Sequence, residues 1–383
     1  MKKIILAPDS FKGTLSSRQV CEEIAKAAGR VFPGCQVKSV PVADGGEGSV
    51  EAFLTAMGGE RKELAVQGPF GEEMTGFYGL VEGGRTAIIE MAACAGLPLA
   101  EGRLDPERAT TYGVGQLMVD AARSGCKKII LGLGGSCTND GGCGAAAAAG
   151  ARFFREDGEA FVPTGGTLGE IAGIDLTGLR RAFAGVEIVA MCDIDNPLYG
   201  EAGAAYIFGP QKGADPAMVE RLDHNLRALE QVVKQALGVD LAPMPGAGAA
   251  GGMGYGMAAF FGAKLQPGIE TVLDTVGFDR LLEGADLVFS GEGRLDAQSV
   301  RGKVVAGVAR RAKAAGVPLV ALVGQIGQGF EPMYDLGLSA VFSINRAAQP
   351  LAESAPHAAE NLRLAAENVL RLCRRHSRNS GKR

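Results

Sequence analysis

The apolar runs of this chain end in glycine, and that habit constrains the fold more than any other feature. Residues 131–152, "LGLGGSCTNDGGCGAAAAAGAR", show it best: an apolar run enters paired glycines, a polar cluster, two more glycines and a run of alanines that reads as helix. A buried strand, a loop with positive φ or close backbone approach, and a helix follow in that order. Such a loop is either a tight turn with helix caps or a cradle whose backbone N–H groups and hydroxyls grip an anion. Glycine supplies 58 of the 383 residues, about twice the usual share, without a collagen period.

The order of elements follows from periodicity. "KIILAPD" is a short strand; the next segment places Val20, Ile24, Ala28 and Val31 at helical spacing behind a Ser16/Gln19 capping box. "QVKSVPVAD" resumes as a strand, and near the far end "ADLVFSGEG", "GKVVAGVARRAKAAG" and "VPLVALVG" alternate strand, helix and strand. Alternation of this kind argues for a parallel, doubly wound sheet. The middle differs. Residues 62–90 read as strands in hairpins, followed by helices near 108–124 and over 215–238, where Asp215 caps and Pro216 takes the first position. The expected fold class is therefore α/β with two domains: a discontinuous one from 1–64 and 281–383, and an inserted mixed-sheet domain over 65–280.

A length of 383 residues, 46% of them hydrophobic and 21% charged, supports a two-domain globular chain. Net charge is −4 with no basic block, which disfavours nucleic acid and anionic membrane as partners. The apolar run at the N-terminus stops at Pro8, too short for a signal peptide, and no window approaches a membrane span. Eight cysteines are scattered without CxxC pairs, the pattern of small core residues in a reducing cytosol, so a cytoplasmic location is expected.

Five strand ends carry polar residues. Asp9, Ser10 and Lys12 follow the first strand; Asp44 and Glu47 follow the second; Ser136, Thr138, Asn139 and Asp140 follow the central one. Asp193, Asp195 and Asn196 follow "EIVAMC", and Glu292, Asp296, Gln298 and Lys303 follow "LVFSG". Ligands of open α/β sheets bind outside the carboxyl ends of strands, so these loops are expected to line one cleft where the two domains meet. Carboxylates among glycines suit Mg²⁺, amides at helix starts suit phosphate, and a nearby lysine suits a phosphoryl group. The three histidines lie far from the glycine loops, leaving an aspartate as the natural base for a substrate hydroxyl. Each loop alone is equally a turn: Asp140 and Asp9 as caps, Asp193 and Asp195 as turn formers, Glu292 and Asp296 as helix caps. "GAGAAG" at 246–251 fits a dinucleotide fingerprint, but "VDLAPMP" precedes it instead of a strand, and no Walker A sequence occurs.

Together, "APDSFKGTLS", "PVADGGEGS", "GLGGSCTNDGG", "PGAGAAGGMGYG" and "SGEGRLDAQSVRGK" resemble the bacterial type I glycerate kinases, in order and spacing from the first residue to about 324. The resemblance implies ATP-dependent phosphorylation of D-glycerate to 2- or 3-phosphoglycerate with Mg²⁺, and a flavodoxin-like discontinuous domain with the active site in the interdomain cleft. Carried over by residue, it implies substrate binding by Asp9, Ser10, Lys12, Asp44, Gly45, Gly46 and Glu47. It implies nucleotide or phosphate contacts from Gly134, Gly135, Ser136, Thr138, Asn139, Asp140, Gly291, Glu292 and Lys303. Asp193 and Asp296 are the candidate base and metal ligands, with Lys12 neutralising the transferred phosphoryl group. Cys137, Cys143 and Ser49 depart from the family pattern by small changes. Rival expectations are a kinase of another hydroxy acid, a phosphatase, a binding protein for a small acid and, last, an NAD-dependent oxidoreductase.

Overall fold

The fold is that of a computed structural model describing residues 1–42, 46 and 48–380, the side chains of 301 and 376–380 aside. It divides into two compact units, Met1–Asp44 with Ile269–Arg383, and Gly45–Gly268.

The first unit holds a five-stranded, wholly parallel sheet. Its spatial order is Gln36–Ser39, Lys3–Leu6, Leu287–Ser290, Leu319–Val323 and Leu338–Ser343. Counted along the unit this is 2-1-3-4-5, the flavodoxin-like order. The three central strands are buried along nearly their whole length, as a parallel sheet covered on both faces requires. One face is covered by the Ser17–Val31 helix, whose Val20, Ile24, Ala28 and Val31 are buried together with Leu362, Ala366 and Leu370 of the long C-terminal helix. Ser16 accepts from Gln19 N while the Gln19 side chain accepts from Ser16 N, so the expected capping box starts that helix.

The second unit holds a six-stranded mixed sheet in the order Lys264–Gln266, Glu187–Met191, Lys128–Gly132, Thr86–Glu90, Glu73–Val81 and Glu60–Gln67. The last three pair antiparallel as hairpins, and the first four run parallel. The helix Pro216–Leu237 opens with Asp215 accepting from Met218 N and closes on left-handed Gly238. The division between units falls earlier than 64 and 281 for physical reasons. Val50, on the Ser49–Met57 helix, donates its N–H to Glu90 Oε1 at 2.6 Å, which ties that helix to the second unit's sheet. Ile269 is buried in the first unit, and Glu270 pairs with Arg310 and Arg311 there. Among the described residues no helix is long and apolar enough to cross a membrane.

The glycine-rich helix Ala249–Phe261 has a structural reason for its composition. Ala250, Gly251 and Gly252 all have positive φ, so the chain makes a left-handed kink before the helix proper. A Cβ on Gly251 would lie 2.0 Å from the Thr138 carbonyl oxygen, and one on Gly256 2.4 Å from that of Gly141. Gly141 N donates to Gly251 O at 3.0 Å, so backbone touches backbone along this seam. The dinucleotide-like pattern serves this close approach. Gly251→Ala is expected to destabilise the protein by about 3 kcal/mol or more, against about 1 kcal/mol for Gly262→Ala, where φ is also positive but space is open. Denaturation midpoints measure both; equal losses would mean that the seam is not close-packed.

Candidate active site

Strand order in the first unit reverses between Lys3–Leu6 and Leu287–Ser290, and the crevice of a doubly wound sheet opens at that reversal. The loops leaving these two strands are laced together. Ala7 N donates to Phe289 O and Asp9 N to Gly291 O, both at 2.8 Å, and the buried Ser290 Oγ donates to Ala7 O. Ser10 N donates to Asp9 Oδ1, which fixes the turn. Gly291 has no alternative, because a Cβ there would meet Leu322 O at 2.1 Å. Asp9, Ser10, Lys12, Gly291, Glu292, Asp296 and Lys303 thus occupy one pair of neighbouring loops.

Glu292 is the unusual group of that pair. It is 5% exposed, and among the described residues its buried Oε1 has no hydrogen-bond partner. Burial pushes its carboxyl up to about 7, outweighing the Ser299 hydroxyl and the Lys303 ammonium, while the Asp9 and Asp296 carboxylates push the same way as burial. Asp296 is more conventionally occupied. Its Oδ1 accepts from Gln298 N at 2.9 Å and its Oδ2 pairs with Arg294 Nε at 2.9 Å, so it shapes its own turn.

In the second unit the loop after Lys128–Gly132 is buried almost throughout. Leu97 N donates to Gly135 O and Cys137 N to Ala95 O, while Thr138, Asn139 and Asp140 are fully buried. Asp140 accepts from Thr111 N and Thr111 Oγ1, both at 2.8 Å, and from the N–H groups of Gly142 and Gly144. Desolvation still raises its pKa against those four donors. Its geometry is that of the turn-and-cap alternative. The Thr138 hydroxyl and both polar atoms of the Asn139 amide are buried without a partner among the described residues. Beneath the loop, Lys212 Nζ donates to Ser136 Oγ at 2.8 Å and to Thr138 O at 2.6 Å. On the neighbouring strand end, exposed Asp193 accepts from Gly268 N at 2.8 Å.

The expected residues therefore fall into two sets, each within one unit. Gly46, whose carbonyl accepts from Ser49 Oγ, is described, while Asp44, Gly45 and Glu47 lie outside the described residues. Two groups escape a reading by strand ends. Lys212 sits in a helical turn over Pro210–Lys212, away from the strand ends. Thr111, which links Asp140 to Ala145 N, precedes a helix. A lysine between Gly209-Pro210 and Gly213 carried a weak signal, because a solvated lysine has no need of such a rigid frame.

Among the described residues no group of three or more His, Cys, Asp or Glu side chains is placed to hold a metal by itself. Magnesium commonly takes only one or two protein carboxylates and completes its shell with water and substrate phosphate. In the first unit's pair of loops Asp9 and Asp296, both acting on Glu292, are carboxylates of the kind such an ion takes, and the two oxygens of Asp296 already hold Gln298 N and Arg294 Nε.

Comparison with known proteins bears on the same residues. The model of the "Glycerate kinase family" matches residues 4–374. The glycerate kinase of Halalkalibacterium halodurans is 44% identical over 96% of this chain and 97% of its own. The glycerate 2-kinase of Escherichia coli is 43% identical over 99% of this chain and 100% of its own. A crystal structure of "putative glycerate kinase 2 from Salmonella typhimurium LT2" superposes with a TM-score of 0.88 at 40% identity, covering 98% of this chain and 99% of that one. With fold, loops and sequence agreeing over almost its whole length, the chain belongs to the glycerate kinase family and is an enzyme, a kinase.

Proposed function

We propose that the chain transfers the terminal phosphoryl group of ATP to the 2-hydroxyl of D-glycerate, giving 2-phosphoglycerate and ADP. The observation that carries this reading is its 43% identity, over 99% of its length, to a glycerate 2-kinase. The position of Asp9 and Glu292 at the reversal of strand order supports it, since that is where an α/β sheet takes small ligands.

Glu292 is the proposed general base. An acceptor for a hydroxyl proton works best when its pKa lies near the working pH, and Glu292, near 7 with an unpartnered oxygen, meets that condition. The hydroxyl proton passes to Oε1 as the new oxygen–phosphorus bond forms and the bond to ADP breaks. Asp193 and Asp296 fit the role less well, since each already has a carboxylate oxygen holding loop backbone. Exposed Lys12 and Lys303 are proposed to neutralise charge on the transferred group. Asp9 and Asp296 would hold Mg²⁺, which when bound offsets negative charge on the phosphates. The glycine loop over 134–139 is proposed to contact ligand oxygens through its amides and the Ser136 hydroxyl.

The test of the reaction is ADP release with D-glycerate, ATP and Mg²⁺, the product then being offered to enolase with and without phosphoglycerate mutase. Turnover by enolase alone is expected. Turnover only with the mutase would make 3-phosphoglycerate the product, and no glycerate-dependent ADP would refute the substrate.

Glu292→Gln is expected to lower kcat by about 10²–10⁴-fold with little change in KM for glycerate. The same substitution has a second signature. Because the folded-state pKa is raised from 4.5 to about 7, the folded chain keeps a proton that the unfolded chain has lost between those values. Stability therefore falls as pH rises through that window, by up to about 3 kcal/mol. In metal-free buffer the variant should melt above wild type near pH 8 and not near pH 4. A variant with normal turnover and an unchanged melting profile would remove Glu292 from the mechanism.

A further inference from the structure

Lys212 has no part in the proton transfer proposed above, yet it is the cation whose burial most needs a reason. It is 2% exposed at the end of the short Pro210–Lys212 turn, and among the described residues no carboxylate pairs with its Nζ. Burying an ammonium without a counter-charge is expensive. Burial lowers its pKa to about 8, and the groups acting on it, Cys137 and Asp140, offset this only in part. Cys137 is held as a neutral thiol, its pKa pushed up to about 11 by burial. The Asp140 carboxylate is turned to Thr111, Gly142 and Gly144.

The two bonds Lys212 makes, to a hydroxyl and a carbonyl, would be served equally by a neutral donor. A charge is needed only if a negative partner arrives. The loop that Lys212 holds points the same way: the Thr138 hydroxyl and the Asn139 amide are fully buried with no partner among the described residues, a rare condition in a folded chain. Ser136 Oγ accepts from Lys212, so its own proton is left to donate elsewhere.

We propose that Lys212 is a positioning residue for an oxyanion subsite in the second unit, where it aims the Ser136 hydroxyl at a ligand oxygen and supplies the buried positive charge that balances it. The inference rests on the glycerate kinase reading for its two candidate ligands, the carboxylate of glycerate and a phosphoryl group of the nucleotide. Both present the same chemistry to a hydroxyl backed by an ammonium.

Calorimetric titration of the full chain with D-glycerate, ADP and sulfate decides it. Lys212→Met is expected to weaken sulfate and one of the two natural ligands by about tenfold or more, leaving the other within about twofold. The ligand that suffers names the oxyanion. Sulfate keeps a fixed charge in this range, so its affinity for wild type should fall about tenfold per pH unit above the Lys212 pKa and stay flat in Lys212→Met. Ser136→Ala, which spares the bond from Lys212 to Thr138, should lose part of the same affinity and stands in if Lys212→Met does not fold. Unchanged binding in both variants, or equal loss of every ligand together with thermal stability, would overturn the subsite. Wild type that binds sulfate in the predicted way but neither glycerate nor ADP would refute the proposed substrates and leave the subsite standing.

Discussion

The pairing of two segments 283 positions apart along the chain is the constraint on which the first unit depends. Ile4 lies opposite Leu287, Ile5 opposite Val288 and Leu6 opposite Phe289, all buried in a parallel ladder. Asp286 fastens the start of the ladder by accepting from the N–H groups of Lys2 and Lys3, and its pKa is lowered by those bonds and the nearby positive charge despite burial. Only this register carries Asp9 to Gly291, and so places one acidic loop against another. A slip by one residue would move every side chain of the ladder to the opposite face, against packing formed for its neighbour, so the packing that stabilises the sheet also fixes the site. The entropy of closing so long a loop grows only slowly with its length, which is why an inserted unit of this size is tolerated.

In the second unit the same outcome is reached by backbone proximity. The loop over 134–142 is pinned from one side by Ala95 and Leu97, from another by Gly251, and from within by Asp140 and Thr111. Glycine allows these approaches because it leaves no side chain between the two backbones. The polar residues of the loop are thereby buried, where each hydrogen bond counts for more and each missing one costs more.

Much of the fold is legible in the sequence because local signals and tertiary packing agree. Ser16 with Gln19, and Asp215 with Gly238, mark helix ends that the structure reproduces, and the hairpins over 60–90 follow from their turns. The candidate site is legible only as a set of strand ends. Asp140 looked like a ligand because an acid in a glycine loop has that composition, yet four internal donors surround it. Glu292 reads as one phosphate-loop residue among several, since its loop is set against that of a strand from the other end of the chain and burial follows only from that packing. Lys212 carries only the weak signal of its rigid frame, because its partners at 136 and 138 are more than seventy residues upstream. Charge and hydroxyl patterns are local, whereas desolvation is a property of the packed chain.

That distinction also separates function from structure among the buried polar groups left without a hydrogen bond. Arg363 lacks a partner only at Nε, for its Nη1 pairs with Glu23 at 2.8 Å. Glu230 and Tyr255 act on each other: burial and the neighbouring carboxylate hold the tyrosine hydroxyl protonated, and burial raises the glutamate in turn. Each has a counterpart within the protein. Among the described residues the Thr138 hydroxyl and the Asn139 amide have none, and Glu292, on which Ser299 and Lys303 act, still leaves Oε1 without a bond; all three lie in loops that leave the carboxyl ends of parallel strands. A folded chain rarely leaves such groups without a partner. For the loop after Lys128–Gly132, the oxyanion proposed above would supply one.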